Sequence, residues 1–285
     1  MTTELLFLAK NRLRFTQESL STLRRNTDWS RIDKTVIYDD GSTDGTLEYL
    51  QGQAAEMGAE LRQTRLGSAV AVGSHFIKAS QADILIKIDN DAMYPPGWLD
   101  ASLGVMQRRP ELQMLCLEDR GLDGPMPYSY KSSVQVGGLF VIRRNVFNGN
   151  DVPIVLNKYW GLQIWVNNHR LTRGWILPSI PVFLLDRVPF EPWMSLNAEY
   201  EKQGWQRPTV GAIHMYTMAQ KNLWSWCDWP DPQIKTYRAL KPFKFRGVSI
   251  TPGDVIPTEW GAETIKVLVD RKHAHAWDEP MAVGA

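Results

Sequence analysis

The sequence predicts an α/β fold: a mostly parallel sheet flanked by helices, followed by a small C-terminal appendage. Short apolar runs at Leu5 to Ala9, Val36 to Tyr38 and Ile84 to Ile88 alternate with stretches whose apolar residues recur at helical spacing. Each run stops abruptly in a polar cluster, at Lys10-Asn11-Arg12, Asp39-Asp40-Gly41-Ser42 and Asp89-Asn90-Asp91. Open parallel sheets bind ligands beyond the carboxyl ends of their strands, so the three clusters are expected to converge.

The elements follow in order. After the first strand, Leu13, Phe15, Leu20 and Leu23 predict a helix ending at Asn26. After the second, Thr43 or Asp44 is placed to cap a helix running through Tyr49 and Leu50, because either side chain accepts from orphan backbone N–H groups. A third segment ends near Gly67, and a helix with Val70, Phe76 and Ile77 on one face leads into the strand at Ile84. Pro95-Pro96-Gly97 interrupts the chain before a helix from Trp98 to about Arg108. Val134 to Ile142 reads as strand and turn around Gly137-Gly138, Trp160 to Arg173 as a helix, Pro178 to Pro192 as extended, and Val210 to Met215 as a strand. Composition shifts after about Lys221, where Trp224, Trp226, Trp229, Pro230 and Pro232 form a connector to short, mostly β runs. The expected division is therefore a domain over 1–220, with halves 1–105 and 106–220, and a tail over 221–285.

Bulk composition excludes several classes. With 44% hydrophobic and 22% charged residues among 285, the chain is globular and large enough to bury its own core. A net charge of +1 provides no global field for nucleic acid or anionic lipid, so polyanion binding must come from local patches. The two cysteines, Cys116 and Cys227, read as reduced thiols. No apolar run reaches the about 18 residues of a spanning helix, so a cytoplasmic protein without membrane insertion is expected.

The acidic clusters carry the chemistry. Asp89 and Asp91, one residue apart at a strand end, suit a hard cation such as Mn²⁺ or Mg²⁺ that also accepts phosphate oxygens. Such a cation offsets charge growing on a leaving diphosphate. The bland alternative is an acidic turn. Asp39-Asp40-Gly41-Ser42-Thr43-Asp44-Gly45-Thr46 is more specific, since its paired acids offer acceptors to ribose hydroxyls or a base N–H. Helix capping explains Thr43 or Asp44 but not two adjacent carboxylates, which are expected to repel each other for no structural gain.

The segment Val36-Ile37-Tyr38 with this acidic cluster resembles the signature of family 2 glycosyltransferases, whose fold is GT-A. Ile84 to Asp91 resembles that family's metal strand, Leu8-Ala9-Lys10-Asn11-Arg12 its first strand and loop, and Arg65-Leu66-Gly67 its third block. The resemblance spans roughly residues 4 to 105 and weakens toward 220. It implies a nucleotide-sugar donor, with UDP as the expected nucleotide, and a hexosyltransferase-type reaction. It also implies that Ala9, Asn11 and Arg12 border the nucleotide, that Asp40 with Asp39 holds base or ribose, and that Arg65 and Gly67 flank the pocket. Asp89 and Asn90 would lie near the ribose or metal, Asp91 would ligate the metal directly, and His214 would stand where some GT-A enzymes supply a third ligand. Gly137 and Gly138 fall near the acceptor.

One departure matters. Where inverting members carry an acidic pair, this chain reads Trp160-Gly161-Leu162-Gln163, and Gln163 cannot act as a base. Either the base has moved, with Asp151, Asp186 or Glu191 as candidates, or the reaction is retaining, or only donor binding remains. For the acceptor, twelve tryptophans and the acid-free run Lys235, Arg238, Lys241, Lys244 and Arg246 suggest a surface that follows a phosphate backbone. The tail from Phe243 resembles short segments common in bacteriophage proteins. Together these point to a hydroxymethyl-pyrimidine in double-stranded DNA, in which case the host cytoplasm would be the site of action. A protein or a cell-surface glycan is the rival acceptor. His273 and His275 are spaced for one strand face but are expected in a solvated tail.

Overall fold

The computed structural model describes residues 1–117, 129–132, 138–147, 166, 170–177, 182–185, 193–204, 236–239, 242–245, 248–250 and 274–277. The chain divides into two compact units, Met1–Leu184 and Leu185–Ala285. Among the described residues of the first, strands β1 (Thr3–Ala9), β2 (Lys34–Asp39), β3 (Glu60–Gln63), β4 (Ile84–Asp89), β5 (Ala92–Met93), β6 (Met114–Cys116), β7 (Ser129–Ser132), β8 (Phe140–Arg143), β9 (Arg173–Leu177) and β10 (Phe183–Leu184) accompany helices. These are α1 (Leu13–Asn26), α2 (Thr46–Met57), α3 (Ala69–Ala79) and α4 (Trp98–Arg108).

Among the described residues, eight strands form one sheet in the order β3-β2-β1-β4-β8-β6-β9-β7. The pairs β1/β2, β1/β4, β2/β3 and β6/β9 are parallel, and β4/β8, β6/β8 and β7/β9 are antiparallel. From β1 the chain builds outward through β2 and β3, then returns to the opposite side of β1 as β4. The order therefore reverses between β1 and β4, and a ligand crevice opens at such a reversal.

Strand β1 is central, and all seven of its residues are buried, which is why Leu5 to Ala9 is continuously apolar rather than alternating. Its two faces serve two core layers. Leu5, Phe7 and Ala9 pack with Leu20 and Leu23 of α1, Leu50 of α2 and Trp98 and Leu103 of α4. Leu6 and Leu8 pack with Val72, Phe76 and Ile77 of α3. Because strand side chains alternate and helices cover both sides, no face of β1 meets water. Truncating the buried Phe76 to Ala would cost about 3–5 kcal/mol by transfer and cavity terms.

The adjacent pair Arg143 and Arg144 closes both layers. Arg143 donates to the carbonyls of Met106 and Leu112 at 2.5 and 2.8 Å, and Arg144 donates to those of Ile77 and Ser80. Each arginine thus satisfies carbonyls at the C-terminal end of a different helix, α4 and α3, which helix geometry alone leaves unpaired.

Several expectations are corrected. Val70 is only partly buried, and Val72 takes the inward position on α3. The helix expected to continue to Arg173 does not, because Arg170 adopts φ 51 and Arg173 opens β9. The short strands β5 and β6 and a helix at Trp193–Lys202 were not anticipated. Cys116 is buried, whereas Cys227 lies outside the described residues. In the second unit, β11 (Thr236–Ala239) pairs antiparallel with β14 (Ala274–Trp277), and β12 (Phe243–Phe245) with β13 (Val248–Ile250). His275 therefore lies in a strand, opposite Arg238. Among the described residues no helix is long and apolar enough to cross a membrane.

Candidate nucleotide-sugar site

The parallel register aligns the carboxyl ends of three strands. Ala9 lies opposite Asp39 and Leu8 opposite Asp89, so the loops that follow β1, β2 and β4 emerge at one sheet edge. The first of these is unusual. Asn11 and Arg12 both have left-handed backbones, with φ 52 and 60, a conformation that costs non-glycine residues about 1–3 kcal/mol each. Hydrogen bonds hold it there. The Asn11 N–H donates to Ser42 Oγ at 2.8 Å, and Asn11 Oδ1 accepts from the Thr43 N–H at 2.8 Å. The Asn11 carbonyl accepts from Asn90 Nδ2 at 2.9 Å. Asp44 accepts from the Leu13 N–H at 3.0 Å and the Thr46 N–H at 3.1 Å, fastening the first turns of α1 and α2 together. Gly45 occupies the N-cap of α2, so Asp44 acts one position earlier than a conventional cap, and Thr43 takes no part in capping.

Asp39 and Asp40 do have structural partners, contrary to expectation. Asp39 Oδ1 accepts from the N–H groups of Gly41 and Ser42 at 3.1 and 2.9 Å, whereas Oδ2, though buried, has no partner among the described residues. Asp40 accepts from Thr64 Oγ1, the Leu66 N–H and the Gly67 N–H at 3.0, 2.6 and 2.9 Å, with Lys10 Nζ at 3.7 Å. Asp40 therefore pins the loop after β3 against the end of β2. Arg65, in that loop, lies over Gly41: its Cγ is 3.2 Å from where a Cβ would stand, and Gly41 has φ 82, a backbone conformation that favours glycine.

At the end of β4, Asp91 Oδ2 pairs with Arg12 Nη2 at 2.9 Å, with both side chains largely enclosed at 13% and 12% exposure. Asp89 Oδ1 lies 2.5 Å from Nζ of Lys87, a lysine only 5% exposed in the middle of the sheet. A buried ammonium needs such a partner, because burial strips its hydration. The Asp89 carbonyl accepts from Tyr94 Oη at 2.9 Å and Ser19 Oγ at 3.2 Å. Burial first, then the Asp89 and Asp91 charges, raise the Tyr94 phenol well above its ordinary range, so it remains a donor. Asn90 is buried and points back to the Asn11 carbonyl and to Thr16 Oγ1.

The structure thus brings Ala9, Asn11, Arg12, Asp39, Asp40, Arg65, Gly67, Asp89, Asn90 and Asp91 to neighbouring strand ends and loops. Gly138 precedes β8, and the backbone of Lys244 lies in β12. Gly137, Asp151, Trp160, Gln163, Asp186, Glu191, His214, Lys241 and Arg246 lie outside the described residues. Sequence reasoning passed over Lys87, Tyr94, Lys10 and Ser42. Lys87 had a signal: a single cation in an apolar strand, two residues before an acid, falls on the same strand face. Among the described residues no group of three or more metal-binding side chains gathers. Asp89 and Asp91 provide two hard oxygen donors, enough for a cation that takes its remaining ligands from phosphate and water.

Residues 6–133 match the model of glycosyl transferase family 2. Among solved structures, S. aureus TarS 1-349 is similar at TM-score 0.51 and 14% identity, over 77% of this chain and 69% of that one. The same protein in complex with UDP-GlcNAc aligns at TM-score 0.51 and 12% identity, over 81% and 68%. GalNAc-T7 with UDP, GalNAc and Mn²⁺ aligns at TM-score 0.50 and 11% identity, over 64% of this chain and 43% of that one. A comparison with curated proteins finds no match. The chain therefore has the GT-A fold of these glycosyltransferases, and its residues 6–133 resemble glycosyl transferase family 2.

Proposed function

We propose that the protein transfers a sugar from a UDP-sugar to an acceptor hydroxyl, with the donor diphosphate lying between the loop after β1 and the Asp89–Asp91 turn. The observation that carries this reading is the Arg12–Asp91 pair, which ties those two loops together across the β1/β4 reversal. TarS in complex with UDP-GlcNAc, and GalNAc-T7 with UDP, GalNAc and Mn²⁺, support UDP as the nucleotide. Asp39 and Asp40, with the 64–67 loop that Asp40 holds, are assigned to the nucleoside. Asp39 Oδ2, unpartnered among the described residues, leaves one acceptor on that side.

Asp89 and Asp91 would hold Mn²⁺ or Mg²⁺, and the bound cation would supply positive charge opposite the diphosphate leaving group. The chain's own residues prepare that place. Tyr94 and Ser19 fix the carbonyl of Asp89, Asn90 locks the turn to the first loop, and Lys87 holds one oxygen of Asp89 in position.

For the acceptor, the acid-free basic run from Lys235 to Arg246 favours a hydroxymethyl-pyrimidine in DNA. The test is a transfer assay with a panel of UDP-sugars, offering hydroxymethylated DNA, protein and glycan acceptors and scoring products by mass spectrometry. Asp91→Asn is expected to lower metal-dependent UDP release by about 100-fold or more in protein that still unfolds cooperatively. Undiminished release in that variant would remove the metal assignment. Donor binding without product on any acceptor would instead indicate a binding module, and product on glycan or protein alone would remove the DNA acceptor.

A further inference from the structure

The carboxylates assigned to the cation are already matched by cations of the chain. Lys87 stands on Asp89, and Arg12 stands on Asp91. The two pairs differ in what they allow. Lys87 rises from the middle of β4 and is almost wholly enclosed, so it has nowhere else to go. Arg12 sits on a loop at the rim of the β1/β4 reversal, and its guanidinium fork fits phosphate oxygens as well as it fits a carboxylate.

We propose that Arg12 changes partner during donor binding, leaving Asp91 Oδ2 for a diphosphate oxygen when a divalent cation takes Asp91. This rests on the donor-site reading above. Arg12 Nη2 is 2.9 Å from Asp91 Oδ2, so guanidinium and metal claim the same carboxylate and repel each other there. The move is confined to the side chain. The left-handed backbone of Asn11 and Arg12 is held by Ser42, Thr43, Asn90 and Asp44 hydrogen bonds on both sides of the residue, leaving the long arginine stem as the hinge. Asp91 is thereby kept neutralised until a donor arrives, and the displaced guanidinium then adds a charge-assisted hydrogen bond to the leaving group. Metal and UDP binding are consequently coupled: each is weak alone and strengthened by the other.

The experiment uses the full chain and two probes, Mn²⁺ alone, followed by the electron paramagnetic resonance of the free ion, and UDP, followed by calorimetry at saturating Mn²⁺. Arg12→Gly removes the guanidinium at a φ of 60 that glycine adopts without strain. Arg12→Gln keeps most of the side-chain length without the charge and serves as the second variant. Thermal melts verify both. Both are expected to bind Mn²⁺ alone about tenfold tighter and UDP about tenfold weaker. Unchanged or weaker Mn²⁺ binding in the variants overturns the exchange, as does unchanged UDP binding. If the wild-type chain binds UDP but takes up no Mn²⁺ even with UDP present, the exchange fails while the donor site stands. If the wild-type chain binds no UDP, the donor site itself fails.

Discussion

Asp40 shows how a single carboxylate shapes the site. It receives three donors from the 64–67 loop, and its neighbour Asp39 turns to Gly41 and Ser42 instead. Adjacent acids need not repel, because consecutive side chains at a strand end leave on opposite sides. Asp40→Asn keeps one carbonyl acceptor and sets an amide NH₂ against the remaining N–H donors. It is expected to cost about 1–3 kcal/mol in urea unfolding and to weaken UDP binding. Wild-type stability in that variant would mean that the loop is held by something else. The acidic cluster itself was legible as a motif; which backbone N–H groups it collects was not, since Thr64 to Gly67 lie over twenty positions away.

At the scale of the element, two glycines, one inside α2 and one just past its end, have opposite roles. Gly58 ends the helix at φ 62, where its N–H reaches the carbonyls of Ala54 and Ala55, and Gly52 lies in the helix body with nothing within 4 Å of a Cβ. Gly58→Ala should therefore destabilise the fold by about 1 kcal/mol, and Gly52→Ala should stabilise it by about 0.5–1 kcal/mol. Thermal melts of the two variants, shifted in opposite directions, verify this. Helices such as α4 were readable in full, because Leu99, Leu103 and Met106 repeat at helical spacing behind a Pro-Pro-Gly break. Short strands such as β5 and β6 were not. Two or three apolar residues carry no period, and only pairing with distant partners makes them strands.

For the whole molecule, acid sensitivity follows from the sheet edge. Arg62 first, then Lys34, lower the Glu60 carboxyl from its ordinary value to about 2. The folded value is depressed, so the stability it contributes is complete above about pH 5. It is lost as pH falls through the ordinary carboxylate range toward about 2. Because Glu60 is partly solvated, that contribution is only a fraction of about 1 kcal/mol. The stability gap between the wild-type chain and Glu60→Gln should narrow between pH 6 and pH 3 in denaturant titrations. A constant gap would show that the charge plays no part.

The sequence by itself determined the central strands, the helices that cover them and the acidic clusters at their ends. An apolar run buried on both faces, followed at once by charge, has one stable place in an α/β sheet. Tertiary structure alone decided which cation meets which carboxylate. Arg12 reaches Asp91 across seventy-nine positions of sequence, through a left-handed loop that no local pattern signals. Such pairings depend on strand order and register, which are set by packing among distant segments rather than by the residues on either side.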